Sequence, residues 1–108
     1  MSTATREKPA AATARARLNT AAKERILIKD GPYGTAIQNE KLTEEQYTGD
    51  TCLSMEQKGN NDLINLTQPQ VIRKICDQYI RAGSTLLATN TFNATVISQA
   101  DYGAEHLV

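Results

Sequence analysis

The feature that most constrains the fold of this chain is a short apolar run that ends abruptly in an acid and a turn. Residues 26–28, Ile-Leu-Ile, favour a buried strand, and Asp30 follows at its C-terminal tip. Gly31 and Pro32 then break the strand, because glycine permits backbone angles closed to other residues and proline has no N–H to donate. Open α/β sheets and α/β barrels bind ligands at such tips. The run therefore predicts a strand with a site at its end.

A second predicted strand, residues 85–89, also ends in polar residues, at positions 90–93. The helix expected before it spans residues 69–82, because apolar side chains recur there with the i, i+3, i+4 spacing of one buried face, and Gly83 is a typical stop. The order strand, connection, helix, strand is typical of a right-handed parallel βαβ unit. The sequence thus predicts an α/β fold with both strand tips in one site.

Further helices are expected on either side of this unit. Residues 11–24 are rich in alanine and basic residues, which favour helix. Thr43 and Gln46 have the spacing of a capping box, which predicts a helix start at residue 43. Residues 50–66 indicate a loop, and residues 94–102 favour a last helix.

Composition excludes some classes of function and leaves the cellular location open. The 108 residues carry no net charge, so nothing global favours nucleic acid or an anionic membrane as a partner. No apolar run reaches the roughly 20 residues of a membrane helix, and no secretory signal is evident. Residues 1–16 are expected to be a disordered extension. We expect a cytoplasmic protein with reduced thiols, with a mitochondrial location as the alternative because the start is rich in arginine and alanine.

The first strand tip offers polar groups that have two readings each. Asp30 would bind a ligand amine or act as a base, or it would be a turn-forming residue that bonds backbone. Gly31 and Gly34 flank a turn before a helix, so that their amides would face an anion such as a carboxylate, although most such turns bind nothing. The spacing is not that of a Walker loop, because the lysine is absent.

The second strand tip is read in the same two ways. Asn90, Thr91 and Asn93 offer hydrogen bonds to a ligand, although residues of this kind at a strand end are more often structural. Phe92 is expected in the core. Cys52 and Cys76 lie far apart and have no metal-ligand spacing with the single histidine, so the residues themselves predict no metal site.

Four stretches of the chain together resemble one family. They are Asp30-Gly31-Pro32-Tyr33-Gly34-Thr35-Ala36-Ile37-Gln38, Lys58-Gly59-Asn60-Asn61-Asp62-Leu63, Thr89-Asn90-Thr91-Phe92-Asn93-Ala94-Thr95 and Gln99-Ala100-Asp101-Tyr102-Gly103. In order and spacing they are similar to the homocysteine-binding domain of cobalamin-dependent methionine synthases, within the homocysteine S-methyltransferase family. The resemblance runs from about residue 17 to residue 108, which we take as a partial domain of this kind.

The resemblance implies an enzyme fold and a substrate. The fold would be a (β/α)8 barrel, of which this chain would hold about the first two βα units. The activity would be methyl transfer to the homocysteine sulfur, giving methionine. In that family a zinc ion held by three cysteine thiolates binds the sulfur, and cobalamin and methyltetrahydrofolate bind other domains. By position, Asp30 would meet the substrate amine, and the pocket would be lined by Gly31, Gly34, Thr35, Asn90 and Thr91.

Three departures from the family pattern put that binding in doubt. Pro32 stands where the family has a second glycine, Tyr33 where it has methionine, and Ala88 where it has glutamate. The family's zinc thiolates lie in later strands, so we expect this chain to be inactive alone, with no catalytic or metal-binding residue of its own. The alternatives are a non-catalytic α/β interaction module and a fragment of another barrel enzyme. Open strand edges would favour self-association.

Overall fold

The computed structural model describes residues 11–108 of the chain, and helices account for its regular structure. Six α-helices are followed by a short 3₁₀ helix at Glu105–Leu107. The α-helices are α1 (Ala11–Glu24), α2 (Tyr33–Asn39), α3 (Glu44–Thr48), α4 (Ile64–Thr67), α5 (Pro69–Arg81) and α6 (Val96–Ala100). None of the helices in this described part has the length and apolar character needed to span a membrane.

Helix α5 is the central packing element, and its sequence explains why. Pro69 occupies the first turn, where a missing N–H costs no helical hydrogen bond. Val71 and Ile75 are buried four residues apart, with Ile75 only 1% exposed. Ile80, predicted on the same face, is 51% exposed, so the buried stripe ends before the last turn.

One apolar cluster joins α5 to the first half of the chain. Ile37 of α2, Tyr47 of α3 and Ile64 of α4 are buried against the α5 residues, together with Leu42 from the connection between α2 and α3. The capping box predicted at Thr43 is present: its hydroxyl accepts from the N–H of Gln46, whose side chain accepts from the N–H of Thr43. This cap fixes the entry of α3 and hence the placement of Tyr47.

The predicted α/β fold is wrong for the described residues, which contain no β-strand and no sheet. Segments 26–28 and 85–89, predicted as strands and here named the two extended segments, are paired only by an isolated parallel bridge between Lys29, the residue after the first, and Leu86. The N–H of Leu86 donates to Ile28 O at 3.1 Å, and the N–H of Asp30 donates to Leu86 O at 3.0 Å. A fragment of a (β/α)8 barrel with βα units is therefore not observed.

Side chains take over at both ends of this bridge, which explains why no ladder develops. In a continued parallel ladder the N–H of Ala88 would donate to the backbone carbonyl of Asp30, but it donates to Asp30 Oδ2 at 2.9 Å. At the other end the N–H of Ile28 donates to the hydroxyl of Thr85 at 3.0 Å. Aspartate and threonine side chains can replace backbone partners in this way, and here they limit the pairing to one residue pair.

The other predicted elements have mixed outcomes. The helix expected over residues 11–24 is confirmed by α1. Residues 50–66 are largely loop, but α4 begins within them. The helix predicted over 94–102 is shorter, because Thr95 caps it: its hydroxyl accepts from the N–H of Ser98, and α6 begins at Val96. Residues 1–10 lie outside the described residues, so the predicted extension at 1–16 and the domain boundary at 17 stay predictions.

Candidate functional site

A cavity of about 730 Å³ lies beside the single bridge and is lined by four separate stretches of the chain. The first stretch is 31–34 after the first extended segment, and the second is 59–62 in the loop before α4. The third is 88–93, at the end of the second extended segment and just beyond it, and the fourth includes Asp101 and Tyr102 beyond α6. Each of the four motifs singled out in the sequence contributes to this one cavity.

Four of the six residues expected at the site line the cavity. They are Gly31, Gly34, Asn90 and Thr91. Asp30 and Thr35 are not among the lining residues: Asp30 is 8% exposed and turns inward, and Thr35 lies in α2. Whether any of the six touches a substrate stays a prediction.

The carboxylate of Asp30 is engaged by groups of the chain itself. Oδ2 accepts from the N–H of Ala88, and Oδ1 is 3.1 Å from the ammonium of Lys29. Burial raises the pKa of Asp30, but the Ala88 hydrogen bond and the Lys29 ammonium outweigh burial, so the pKa lies below its ordinary value of 3.8. Asp30 is thus a charged acceptor that joins the two extended segments at the edge of the cavity.

Gly31 is held where a side chain would not fit. A Cβ placed on it would come within 2.8 Å of the Tyr79 hydroxyl, which donates to Pro32 O at 2.7 Å. Tyr79 of α5 thereby holds the Gly31–Pro32 turn against the helix. Glycine at this position allows a close approach between the turn and the helix that another residue would prevent.

Tyr33 closes the same wall from the other side. Its hydroxyl donates to Ala88 O at 2.8 Å and lies 3.3 Å from the sulfur of Cys76 on α5. Burial and the Cys76 sulfur raise the pKa of the Tyr33 phenol, which keeps it a neutral donor. Two departures from the family pattern, at positions 33 and 88, therefore contact each other directly.

The polar residues of the second tip are held by α4 and by the loop before it. The side-chain amide of Asn90 donates to Asn61 O at 2.8 Å, and that of Asn65 donates to Asn90 O at 2.6 Å. Asp62 accepts from the N–H of Asn93 at 2.9 Å. Phe92, expected in the core, is instead 94% exposed at the cavity wall, which corrects that prediction.

Three buried amide side chains that the sequence reasoning did not select form a group at the cavity, with Asn60 among the lining residues and Gln57 and Gln99 behind them. Asn60 and Gln99 bond each other reciprocally, at 2.8 and 3.0 Å, and Asn60 also donates to Gln57 at 3.1 Å. Asn60 and Gln99 belong to stretches that carry the family resemblance, and that was the available signal. The burial of these amides could not be predicted from local sequence, because it depends on partners 39 to 45 residues away.

The described residues do not fit a zinc centre. No group of three or more histidine, cysteine, aspartate or glutamate side chains among them is arranged to hold a metal ion. Both cysteines are free: Cys52 is exposed, and Cys76 is partly buried against Tyr33. We therefore derive no chemical step through zinc. The charged side chains at the cavity are Lys29, Asp62 and Asp101.

These features define a helical domain with a cavity of about 730 Å³, lined by polar and apolar groups from four stretches of the chain. The sequence model of the homocysteine S-methyltransferase family matches residues 27–108, from the first extended segment to the last residue. The match includes all four stretches that line the cavity. The chain therefore belongs to the homocysteine S-methyltransferase family.

Proposed function

We propose that this chain supplies the part of a methionine-synthase-type methyltransferase that holds the amino-acid end of homocysteine. The observation that carries the proposal is the convergence of the four family stretches on one cavity. The lining residues 31–34, 59–62 and 88–93, with Ser98, Asp101 and Tyr102, are separated along the chain, and a shared cavity gives them a common role.

The lining supports an amino acid better than an apolar ligand. Homocysteine carries an ammonium and a carboxylate on one carbon, and the cavity offers groups of both characters. Asp62 and Asp101 are the acidic groups, while Lys29 and the amide of Asn61 are candidate partners of a carboxylate. In this proposal Asp30 acts indirectly, because its two oxygens already bind Ala88 and Lys29.

Among the described residues, no metal-ligating cluster is available to bind the homocysteine sulfur as strongly as the charged side chains could bind its ammonium and carboxylate. The proposal assigns zinc, cobalamin and methyltetrahydrofolate to complete methionine synthases and gives none of them to the residues of this chain. The two free cysteines and the single histidine do not complete a tetrahedral zinc shell. We therefore propose that the chain by itself binds homocysteine weakly and transfers no methyl group.

A single fluorescent reporter tests the binding. The chain has no tryptophan, and Phe92 lies exposed at the cavity wall, so Phe92→Trp places one indole there without disturbing the core. Titration with L-homocysteine should give a dissociation constant of about 1 mM, roughly −4 kcal/mol. Homoserine, with oxygen in place of sulfur, should bind within about threefold, because the sulfur gains no metal bond.

Two controls decide the outcome. Hydrogen exchange measured by mass spectrometry should slow in peptides that cover residues 31–34 and 88–93, and not in α1. Added zinc should leave the affinity unchanged. Absence of binding at tens of millimolar ligand, or micromolar binding of homocysteine that requires zinc, would each contradict the proposal.

A further inference from the structure

We propose that the buried amides of Gln57, Asn60 and Gln99 form a positioning unit that sets the location of two cavity walls. The effect of this unit on homocysteine binding rests on the proposed function, whereas its hydrogen bonds are observed in the structure. The three side chains are at most 5% exposed and come from the loop before α4 and from α6.

Each amide hydrogen in this unit has an acceptor. Asn60 donates to the side-chain oxygens of Gln57 and Gln99. Gln99 donates to Asn60 Oδ1 at 3.0 Å and to the backbone carbonyl of Asn93 at 3.1 Å. Gln57 donates to the backbone carbonyls of Met55 and Tyr102, at 3.1 and 2.7 Å. All six hydrogens and all three side-chain oxygens are used, so each amide has one orientation.

The outward bonds of the unit end on cavity-lining residues. Asn93 belongs to the third lining stretch and Tyr102 to the fourth, while Asn60 itself lies in the second. The unit therefore connects three of the four walls through side chains that are not replaceable by apolar ones without leaving carbonyls unpaired. Loss of the side-chain donor to Asn93 O or Tyr102 O would let that wall segment move, because each hydrogen bond runs from a buried amide to partly exposed backbone.

Neighbouring carboxylates hold the same walls from outside the unit. Glu44 accepts from the N–H of Gln57 at 2.6 Å, and Asp62 accepts from the N–H of Asn93 at 2.9 Å. Gln57 is thus held through both its backbone N–H and its side chain. Asn93 is held through both its backbone N–H and its backbone carbonyl. Such double attachment preorganises the wall, and a preorganised wall loses less conformational freedom when a ligand binds.

The test replaces Gln99→Glu in the Phe92→Trp reporter chain. A carboxylate keeps an acceptor for Asn60 but loses both donors and sets negative charge against the carbonyl of Asn93. We expect homocysteine to bind about tenfold more weakly at about pH 8, and the indole anisotropy of the ligand-free chain to fall because segment 92–93 loosens. Lowering the pH to about 5 protonates the buried carboxyl, restores one donor and recovers both signals in part.

Gln78→Glu is the matched control, because it makes the same change on the exposed side of α5 away from the cavity. It keeps Glu44 and Asp62, so any titration of those groups appears equally in the control. The control should bind like the parent and show no recovery at low pH. Circular dichroism confirms that each variant retains its helices.

Gln57→Glu provides a second variant, which tests the bond to Tyr102 if Gln99→Glu fails to fold. A parent chain that binds no homocysteine, with anisotropy still lost in Gln99→Glu and regained at low pH, would refute the proposed function and leave the positioning unit standing. A parent chain that binds homocysteine while Gln99→Glu changes neither signal would refute the positioning unit alone. Loss of helical signal in both variants would also overturn it, since the amides would then hold the whole fold.

Discussion

Single residues in this domain have roles that depend on which neighbour comes near them. Gly31, in the turn before α2, and Gly34, in the first turn of α2, lie three residues apart, and both line the cavity. A Cβ at Gly31 would meet the Tyr79 hydroxyl at 2.8 Å, whereas nothing lies within 4 Å of a Cβ at Gly34. The two glycines are therefore a matched pair in which only the first is required by packing.

Gly31→Ala should destabilise the chain by about 1–3 kcal/mol, because the added methyl pushes Tyr79 away from Pro32. Gly34→Ala should be neutral or stabilising by up to about 1 kcal/mol, since it lies in α2 with free space around it. Urea unfolding followed by circular dichroism at micromolar concentration measures both. In a Tyr79→Phe background the cost of Gly31→Ala should shrink, and an unchanged cost would contradict the assigned clash.

Asp30→Asn should lower the thermal midpoint at neutral pH, because a neutral amide is a weaker acceptor for Ala88 and loses the attraction of Lys29. The folded-state pKa of Asp30 is depressed, so its contribution is present above pH 3.8 and lost as pH falls through the lower folded value. The difference in midpoint between parent and variant should therefore disappear in strongly acidic buffer. A difference that persists below both pKa values would show that the charge is not the cause.

Short helices are held in place by side chains that reach into neighbouring loops. Glu44, in the first turn of α3, accepts from the N–H groups of Gln57 and Lys58 at 2.6 and 2.7 Å. The hydrogen bond from Gln57 is the main reason that the pKa of Glu44 lies below its ordinary value of 4.5. One carboxylate thereby connects α3 to the loop that lines the cavity at 59–62.

Glu44→Gln should speed backbone hydrogen exchange at residues 57 and 58, because the amide side chain offers only one acceptor oxygen for two N–H groups. Glu45→Gln removes the same charge one residue later, on an exposed side chain, and should leave that exchange unchanged. Because the pKa of Glu44 is depressed, its protection of the loop should be fully present above pH 4.5 and be lost only as the pH falls through the lower folded-state value. Equal effects of the two variants would contradict a specific tether.

At the scale of the whole molecule, several large apolar side chains of the described residues 11–108 are exposed. Ile26 is 90% exposed, and Ile28 and Leu87, close to the Lys29–Leu86 bridge, are also exposed. The segments carry only one bridge in the described part of the chain, so much of their backbone is free to pair with another molecule.

The isolated chain should therefore self-associate as its concentration rises and unfold over a broad temperature range. Ile28→Lys should reduce the association measured by light scattering after size exclusion, because it places a charge at an exposed apolar position. Ile97→Lys, on the exposed side of α6, is the control and should have little effect. A monodisperse monomer with a sharp unfolding transition would refute this expectation.

Sequence alone established the features that depend on residues close together. The capping box at Thr43, the proline start of α5 and its buried stripe at Val71 and Ile75 all follow from spacings within a few residues. The four stretches that carry the family resemblance were also recognised from sequence, and each contributes residues to the cavity lining.

The tertiary structure decided what those local signals leave open. Segments 26–28 and 85–89 have the composition of strands, but side chains of Asp30 and Thr85 take the backbone groups that would have extended the pairing. The inward turn of Asp30 and the burial of Gln57 depend on partners up to 58 residues away. Hydrophobic periodicity specifies which face of an element is buried, but hydrogen-bond partners at such separations are fixed only when the chain has folded.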